Sequence, residues 1–309
     1  MIDTIRLKTN RLFHQDITDH LPDGWKSADT LYNRSVTRNS GTAGCNRILL
    51  THKLTGMRVG GSRSTATWLE VSLPRLLHGH NGRLIANQKE LDDALAKLNN
   101  LVGQVCLPAI NKAEDKFTRV DLVLQFRDNP AAFKAAHRNC RHSWIRREAG
   151  EYDGEGIYWK GADMTVRMYD KQLEQRGQPG DIVRVEVELR REALKKAFFG
   201  MRDSPEFEWR ELTSLSFQRC YEVYRKIICG FRPARLRRMS SMAEFLAMAD
   251  QAGWKWDGVP VFDLWRIDKC AHHVRRVRKE MARLRPHIHH IDWEVLLPED
   301  EFPPLVELT

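Results

Sequence analysis

Between Asp181 and Arg190 every second residue is aliphatic: Val183, Val185, Val187 and Leu189. The residues between them, Arg184, Glu186 and Glu188, are charged. A period of two puts the two sets on opposite faces of a β-strand. Lys116–Arg127 repeats the pattern, with Val120, Leu122, Leu124 and Phe126 on one side and Arg119, Asp121, Val123 and Gln125 on the other. Thr65–Leu73 sets Leu69, Val71 and Leu73 against Trp68, Glu70 and Ser72. A strand-turn-strand over Gly156–Lys171 ends with Val166 and Met168 opposed to Arg167, Tyr169 and Lys171. Strands of this kind bury one face against helices in an antiparallel sheet, and their polar faces then lie together.

Helical signals are interleaved with these strands. Asn87-Gln88-Lys89-Glu90 opens as a capping box, and Leu91, Leu95, Leu98 and Val102 follow at helical spacing, which predicts a helix over 88–103. Residues 1–9 alternate as a strand, 44–61 read as a hairpin, 74–78 as a short helical turn and 130–146 as a basic helix. Residues 10–43 give no assignable pattern. From 191 onward the periodicity is helical, over 191–200, 206–230, 240–252 and 261–285. The expected fold is α+β, with a central antiparallel sheet and flanking helices over 1–231. A mainly helical, basic region over 232–309 follows, the boundary falling at Arg232-Pro233-Ala234-Arg235.

Net charge bears on the partner. The 309 residues carry a formal charge of +9, which points to a polyanion, either nucleic acid or an anionic membrane surface. No apolar run has the length of a membrane span, and the first residues alternate like a strand instead of forming a leader. That favours nucleic acid in a cytoplasm. Cys45, Cys106, Cys140, Cys220, Cys229 and Cys270 are scattered with no C-x-x-C pair, as expected of reduced thiols and not of a disulfide framework or a cysteine zinc site.

The polar faces carry the chemistry. Tyr169 lies between Arg167 and Lys171, and flanking cations favour a phenolate and attract a phosphate. Glu70, Asp121 and Glu186 would share that face, where like charges repel. A divalent cation would remove the repulsion, and oxygen-only ligands suit Mg²⁺ or Mn²⁺. Taken singly, each carboxylate reads first as a solvated strand residue paired to an arginine, and it is the coincidence of four strands that points to a metal; Glu188 reads as such a paired residue, with Arg184 or Lys171. Phosphate contacts are expected from Arg141, Arg146 and Arg147, from Lys160, from Arg235, Arg237 and Arg238, and from Arg275, Arg276, Arg278 and Lys279. Trp144 and Trp159 are candidates for stacking on unpaired bases. His78-Gly79-His80 and His287-Ile288-His289 are weaker candidates for a metal pair.

Phe117-Thr118-Arg119-Val120-Asp121-Leu122, Val166-Arg167-Met168-Tyr169-Asp170-Lys171 and Val183-Arg184-Val185-Glu186-Val187-Glu188-Leu189 resemble, in that order, three blocks of rolling-circle replication initiators. The resemblance is to the filamentous-phage gene II/X proteins and to the Rep proteins of small staphylococcal plasmids. It extends in scattered blocks over roughly residues 65–270. It implies a sheet fold related to the HUH endonucleases, with Asp121 where they carry a histidine pair. It also implies origin-specific nicking and joining of one DNA strand through a covalent 5′-phosphotyrosine. Tyr169 would be the nucleophile and Glu70, Asp121 and Glu186 the metal ligands. The partners would be origin DNA and the helicase and polymerase of a bacterial host, in its cytoplasm. A non-catalytic origin-binding protein and a relaxase or transposase remain alternatives.

Overall fold

The computed structural model describes residues 1–14, 17, 20–27, 47–62, 64–107, 115–137, 140–142, 144–145, 149–152, 156–199, 217–233, 242–251, 255–284, 293–299 and 302–303. The chain opens with β1 (Ile2–Phe13), β2 (Trp25–Ser27), β3 (Arg47–His52), β4 (Arg58–Ser62) and β5 (Thr65–Ser72), followed by α1 (Leu73–His78) and α2 (Gln88–Gly103). It continues through β6 (Cys106–Leu107), β7 (Lys116–Arg127), α3 (Pro130–His137), β8 (Cys140–His142), β9 (Ala149–Tyr152), β10 (Gly156–Lys160) and β11 (Met164–Asp170). Then come α4 (Lys171–Arg176), β12 (Ile182–Arg190), α5 (Arg191–Phe199), α6 (Phe217–Ile228) and β13 (Phe231–Pro233). The remainder is α7 (Met242–Gln251), β14 (Lys255–Trp256), β15 (Val259–Pro260), α8 (Val261–Arg266), α9 (Ala271–Leu284) and α10 (Trp293–Leu296).

The fold is α+β, as expected. Its centre is an eleven-stranded sheet in the order β2-β3-β4-β5-β1-β7-β12-β11-β10-β9, with β6 paired to β1 and every paired neighbour antiparallel. The alternation sets the faces. Val120, Leu122, Val185, Val187, Val166 and Met168 are buried in one core with Leu91, Leu98 and Val102 of α2 and Tyr221, Tyr224 and Ile227 of α6. Burial at roughly 25 cal/mol per Å² of apolar surface fixes the strands' orientation, since a one-residue slip would turn every aliphatic side chain outward. α2 begins and ends where its spacing predicts, with the Asn87 side chain accepting from the Glu90 N–H at 3.0 Å.

Three expectations are corrected. The helix read over 130–146 stops at His137, because the chain then pairs β8 with β13, opposite Arg232 at Arg141. The indole of Trp159 donates to Cys140 O at 2.9 Å and holds that strand in place. The helix read over 261–285 is two helices, α8 and α9, with a turn between them. The break lets Val261, Phe262 and Trp265 of α8 and Val277 and Met281 of α9 meet the same α7 residues, Ala243, Leu246 and Ala247. The boundary at 232 cuts through β13, and the last helix rejoins the sheet core, where Trp293 meets Phe126 and Phe133 with ring centroids 6.0 and 5.5 Å apart. Among the described residues only α7–α9 form a cluster of their own. Of the 206–230 helix, residues 217–230 are described, and Phe217–Ile228 are helical.

Candidate active site

β7, β12 and β11 are neighbours in the sheet, and β5 is reached across β1. The register sets Asp121 opposite Glu188, Glu186 opposite Arg167 and Tyr169 opposite Arg184. On the far side of β1, Glu70 lies opposite Arg6. Glu70, Asp121, Glu186 and Tyr169 therefore do occupy one face.

Pairing to arginine, one of the two readings open for each carboxylate, is what neutralises that face, although the side chains are buried and not solvated. Arginines stand between the carboxylates. Arg119 holds Asp121 in a two-pronged pair at 2.8 and 2.5 Å, lies 3.3 Å from Glu188 and reaches Glu70 at 3.9 Å. Arg167 bonds Glu188 at 2.6 Å and lies 3.5 Å from Glu186. Glu70 also pairs with Arg58, and Glu188 with Arg190. Arg184 is fully buried between Asp3 at 3.3 Å and Glu186 at 3.4 Å. Guanidinium forks match carboxylates geometrically and remove their repulsion without a metal. Burial, followed in size by the opposing pull of Arg119 and the added push of Glu188 and Glu186, leaves the Asp121 carboxyl raised to about 7. Among the described residues no three His, Cys, Asp or Glu side chains stand so as to hold a metal ion. The expected trio does not fit one as positioned, because Arg119 separates Glu70 from Asp121 and takes oxygens an ion would need.

Tyr169 differs from its expected setting. It is 6% exposed, and its hydroxyl donates to Glu186 Oε1 at 2.7 Å. Burial and then the Glu186 charge raise its pKa well above the ordinary phenol value, against Arg184. The cations were expected to do the reverse. The strand also ends earlier than alternation suggested. Asp170 accepts from the N–H groups of Gln172 and Leu173 at 2.9 Å each and from Gly180 at 2.9 Å, which starts α4 at Lys171. Lys171 is thus no exposed strand residue. It is buried, pairs with Glu174, and lies 5.8 Å from the centre of the Tyr169 ring. Burial, then Arg184, lowers its pKa. The loop after α1 closes this end of the face, with Gly82 O accepting from Gln125 and Asn81 bonded to Gln175 of α4.

Gly156 lies directly opposite Tyr169 on β10. A Cβ there would collide with Met168 O and with the Tyr169 side chain at its Cβ. Gly156→Ala is expected to destabilise the protein by about 1–3 kcal/mol in urea unfolding, because backbone atoms would have to shift.

The predicted DNA contacts are placed unevenly. Lys160 is exposed at the end of β10. Arg275, Arg276, Arg278 and Lys279 are exposed on α9. Arg141 is on β8, and Arg146, Arg147, Arg235, Arg237 and Arg238 fall outside the described residues. Trp159 is buried and Trp144 half-buried, with the Lys196 ammonium 4.9 Å from its ring centre. His78 sits in the last turn of α1 beside Glu90 at 3.8 Å, and His80 lies in the loop beyond Gly79, so the first His-x-His is no strand-borne pair. The second lies outside the described residues. Arg119, Arg184 and Asp3 belong to the site and were passed over, and Glu188, expected to pair with Arg184 or Lys171, pairs instead with Arg119, Arg167 and Arg190. Arg119 shares the polar-face alternation of Asp121 and Glu186, which is the signal that could have found it. The cysteines described, Cys106, Cys140, Cys220, Cys229 and Cys270, are free thiols, as expected. No helix among the described residues is long and apolar enough to cross a membrane.

No protein-family model and no curated protein matches the chain. One similar solved structure is a rolling-circle replication initiator protein from Geobacillus stearothermophilus. It is 12% identical, and the match covers 79% of this chain and 89% of that one with a TM-score of 0.39.

Proposed function

We propose that this chain initiates rolling-circle replication of a phage or plasmid by nicking one DNA strand at its origin through Tyr169 and rejoining it. The observation that carries the reading is the 2.7 Å hydrogen bond from Tyr169 to Glu186 on an arginine-lined face. Nucleophile and base stand within reach of proton transfer. Glu186 takes the phenol proton as the hydroxyl oxygen attacks phosphorus. The bond to the 3′ oxygen breaks, the strand leaves with a 3′ hydroxyl, and the phosphate remains on Tyr169. Because the new link is still a phosphodiester, attack by a 3′ hydroxyl reverses the step without ATP. Arg167, part-exposed beside Glu186, would hold the phosphate oxygens, while the buried Arg184 holds Glu186 from the other side. Unwinding and synthesis would fall to a host helicase and polymerase.

No step of this chemistry is assigned to a metal. Comparing adduct formation in Mg²⁺, Mn²⁺ and EDTA decides whether an ion exchanges with the guanidiniums. The main test is covalent capture: the chain is mixed with single-stranded DNA of its own replicon and the adduct is resolved under denaturing conditions. Adduct formation supports the reading, and its absence with intact DNA binding sinks it. One observation favours a second reading, an origin-binding protein without nicking. Tyr169 is buried and its carboxylates are already paired, as they would be in a purely structural network.

Duplex contacts are assigned to α9. His272, Arg275, Arg276 and Lys279 recur at helical spacing on its exposed side, while Val277 and Met281 face α7. Replacing Arg275, Arg276 and Lys279 together by alanine is expected to weaken duplex binding. It should also flatten the salt dependence of log K by roughly 0.9 for each phosphate no longer held, read by titration at several salt concentrations.

A further inference from the structure

A cleft of about 540 Å³ opens on the polar face, away from Tyr169, where β1, β5 and β7 meet the β12–α5 junction. Five cations line it, Arg6, Lys8, Arg119, Arg190 and Arg191, against one carboxylate, Asp163. Arg6, Arg119 and Arg190 also hold Glu70, Asp121 and Glu188. Lys8 and Arg191 are exposed and have no carboxylate partner among the described residues. Arg191 has a left-handed backbone, φ 37°, one of two non-glycine residues with positive φ among those described. Such strain is kept where a fold needs a side chain in one particular place.

Trp68 forms the wall opposite this junction. Its indole lies against Gly60, whose hydrogen leaves room that a Cβ would fill, and the Arg6 guanidinium stands 4.6 Å from its ring centre. A pinned aromatic ring beside unpaired cations is the combination that holds an unpaired nucleotide and its phosphate. The path to Tyr169 is lined as well. Arg190 is six residues along β12 from Arg184, the residue opposite Tyr169, or ~20 Å at ~3.3 Å per residue. Arg167, opposite Glu186, lies between, and Arg119 stands opposite Arg190 at the cleft end. A few linked nucleotides span that distance.

We propose that this cleft binds a phosphate of single-stranded DNA, on the same strand whose phosphate Tyr169 attacks. The connection to Tyr169 rests on the nicking reading, but the cleft's occupancy does not. The test uses the full chain carrying Lys8→Ala and Arg191→Gly. Lys8 is exposed, and glycine accepts the left-handed backbone at 191, so the variant is expected to fold. Binding of a labelled oligothymidylate should weaken about ten-fold, with the slope of log K against log salt reduced by roughly 0.7 for each phosphate no longer held. Binding of a duplex of the same length should be unchanged. Unchanged oligothymidylate affinity overturns the proposal, and so does an equal loss for the duplex, which would mark a generic anion surface. Displacement of the oligonucleotide by inorganic phosphate at comparable concentration also overturns it. Covalent capture separates the two claims. An adduct with a silent cleft variant leaves nicking standing and removes the cleft. A cleft-dependent affinity with no adduct does the reverse.

Discussion

Tyr169→Phe is expected to abolish the covalent protein–DNA adduct, by at least about 10³-fold, while DNA affinity stays within about two-fold of wild type. Phenylalanine keeps the ring beside Lys171 and against its packing neighbours and removes only the attacking oxygen. With that oxygen goes the hydrogen bond to Glu186. A hydrogen bond to a charged acceptor contributes about 1.5–3 kcal/mol, and Glu186 keeps Arg184 and Arg167, so the fold should survive with a stability loss near the low end. That separates chemistry from folding. An adduct surviving in the variant would move the nucleophile elsewhere, first to Tyr158 on the neighbouring strand. Because the Tyr169 pKa is raised, the phenol keeps its proton until attack, and Glu186 must accept it. Glu186→Gln should therefore lower adduct formation nearly as far as Tyr169→Phe and leave binding intact.

Much of the sheet was legible because period two is a geometric property of strands. β5, β7 and β12 begin and end within a residue of where alternation places them, and the shared face of Glu70, Asp121, Glu186 and Tyr169 follows from it. The order of strands was not legible. β1 lies between β5 and β7 through pairings of residues far apart in sequence, and no local pattern encodes them. Partner choice was equally hidden. Which arginine meets which carboxylate depends on register, so a row of acids read as a metal cage turned out to be interleaved with Arg119, Arg167 and Arg184. The early end of β11 was written in Asp170, an N-cap residue followed by a helical turn, but it competed with an alternation that continued through Lys171 by chance.

Glu188 is expected to be the most costly single position on the face, although it reads from sequence as an ordinary exposed strand residue. It is 2% exposed and answers three arginines, Arg119, Arg167 and Arg190. Glu188→Ala leaves those guanidiniums crowded around a missing charge. Breaking a buried ion pair from one side costs about 3–5 kcal/mol, because the remaining charge loses its compensation. Urea unfolding should show a loss of that size. Glu188→Gln, which keeps an acceptor and the volume, should lose less. Binding should change in the opposite direction. The same substitution adds positive charge beside the Trp68 cleft, so oligothymidylate affinity is expected to rise several-fold at low salt, with a steeper salt dependence. A stability loss accompanied by tighter single-strand binding fits a carboxylate that restrains phosphate-binding arginines. A stability loss with weaker binding would mean that Glu188 positions those arginines for the strand, and the cleft would then depend on the acids as much as on the cations.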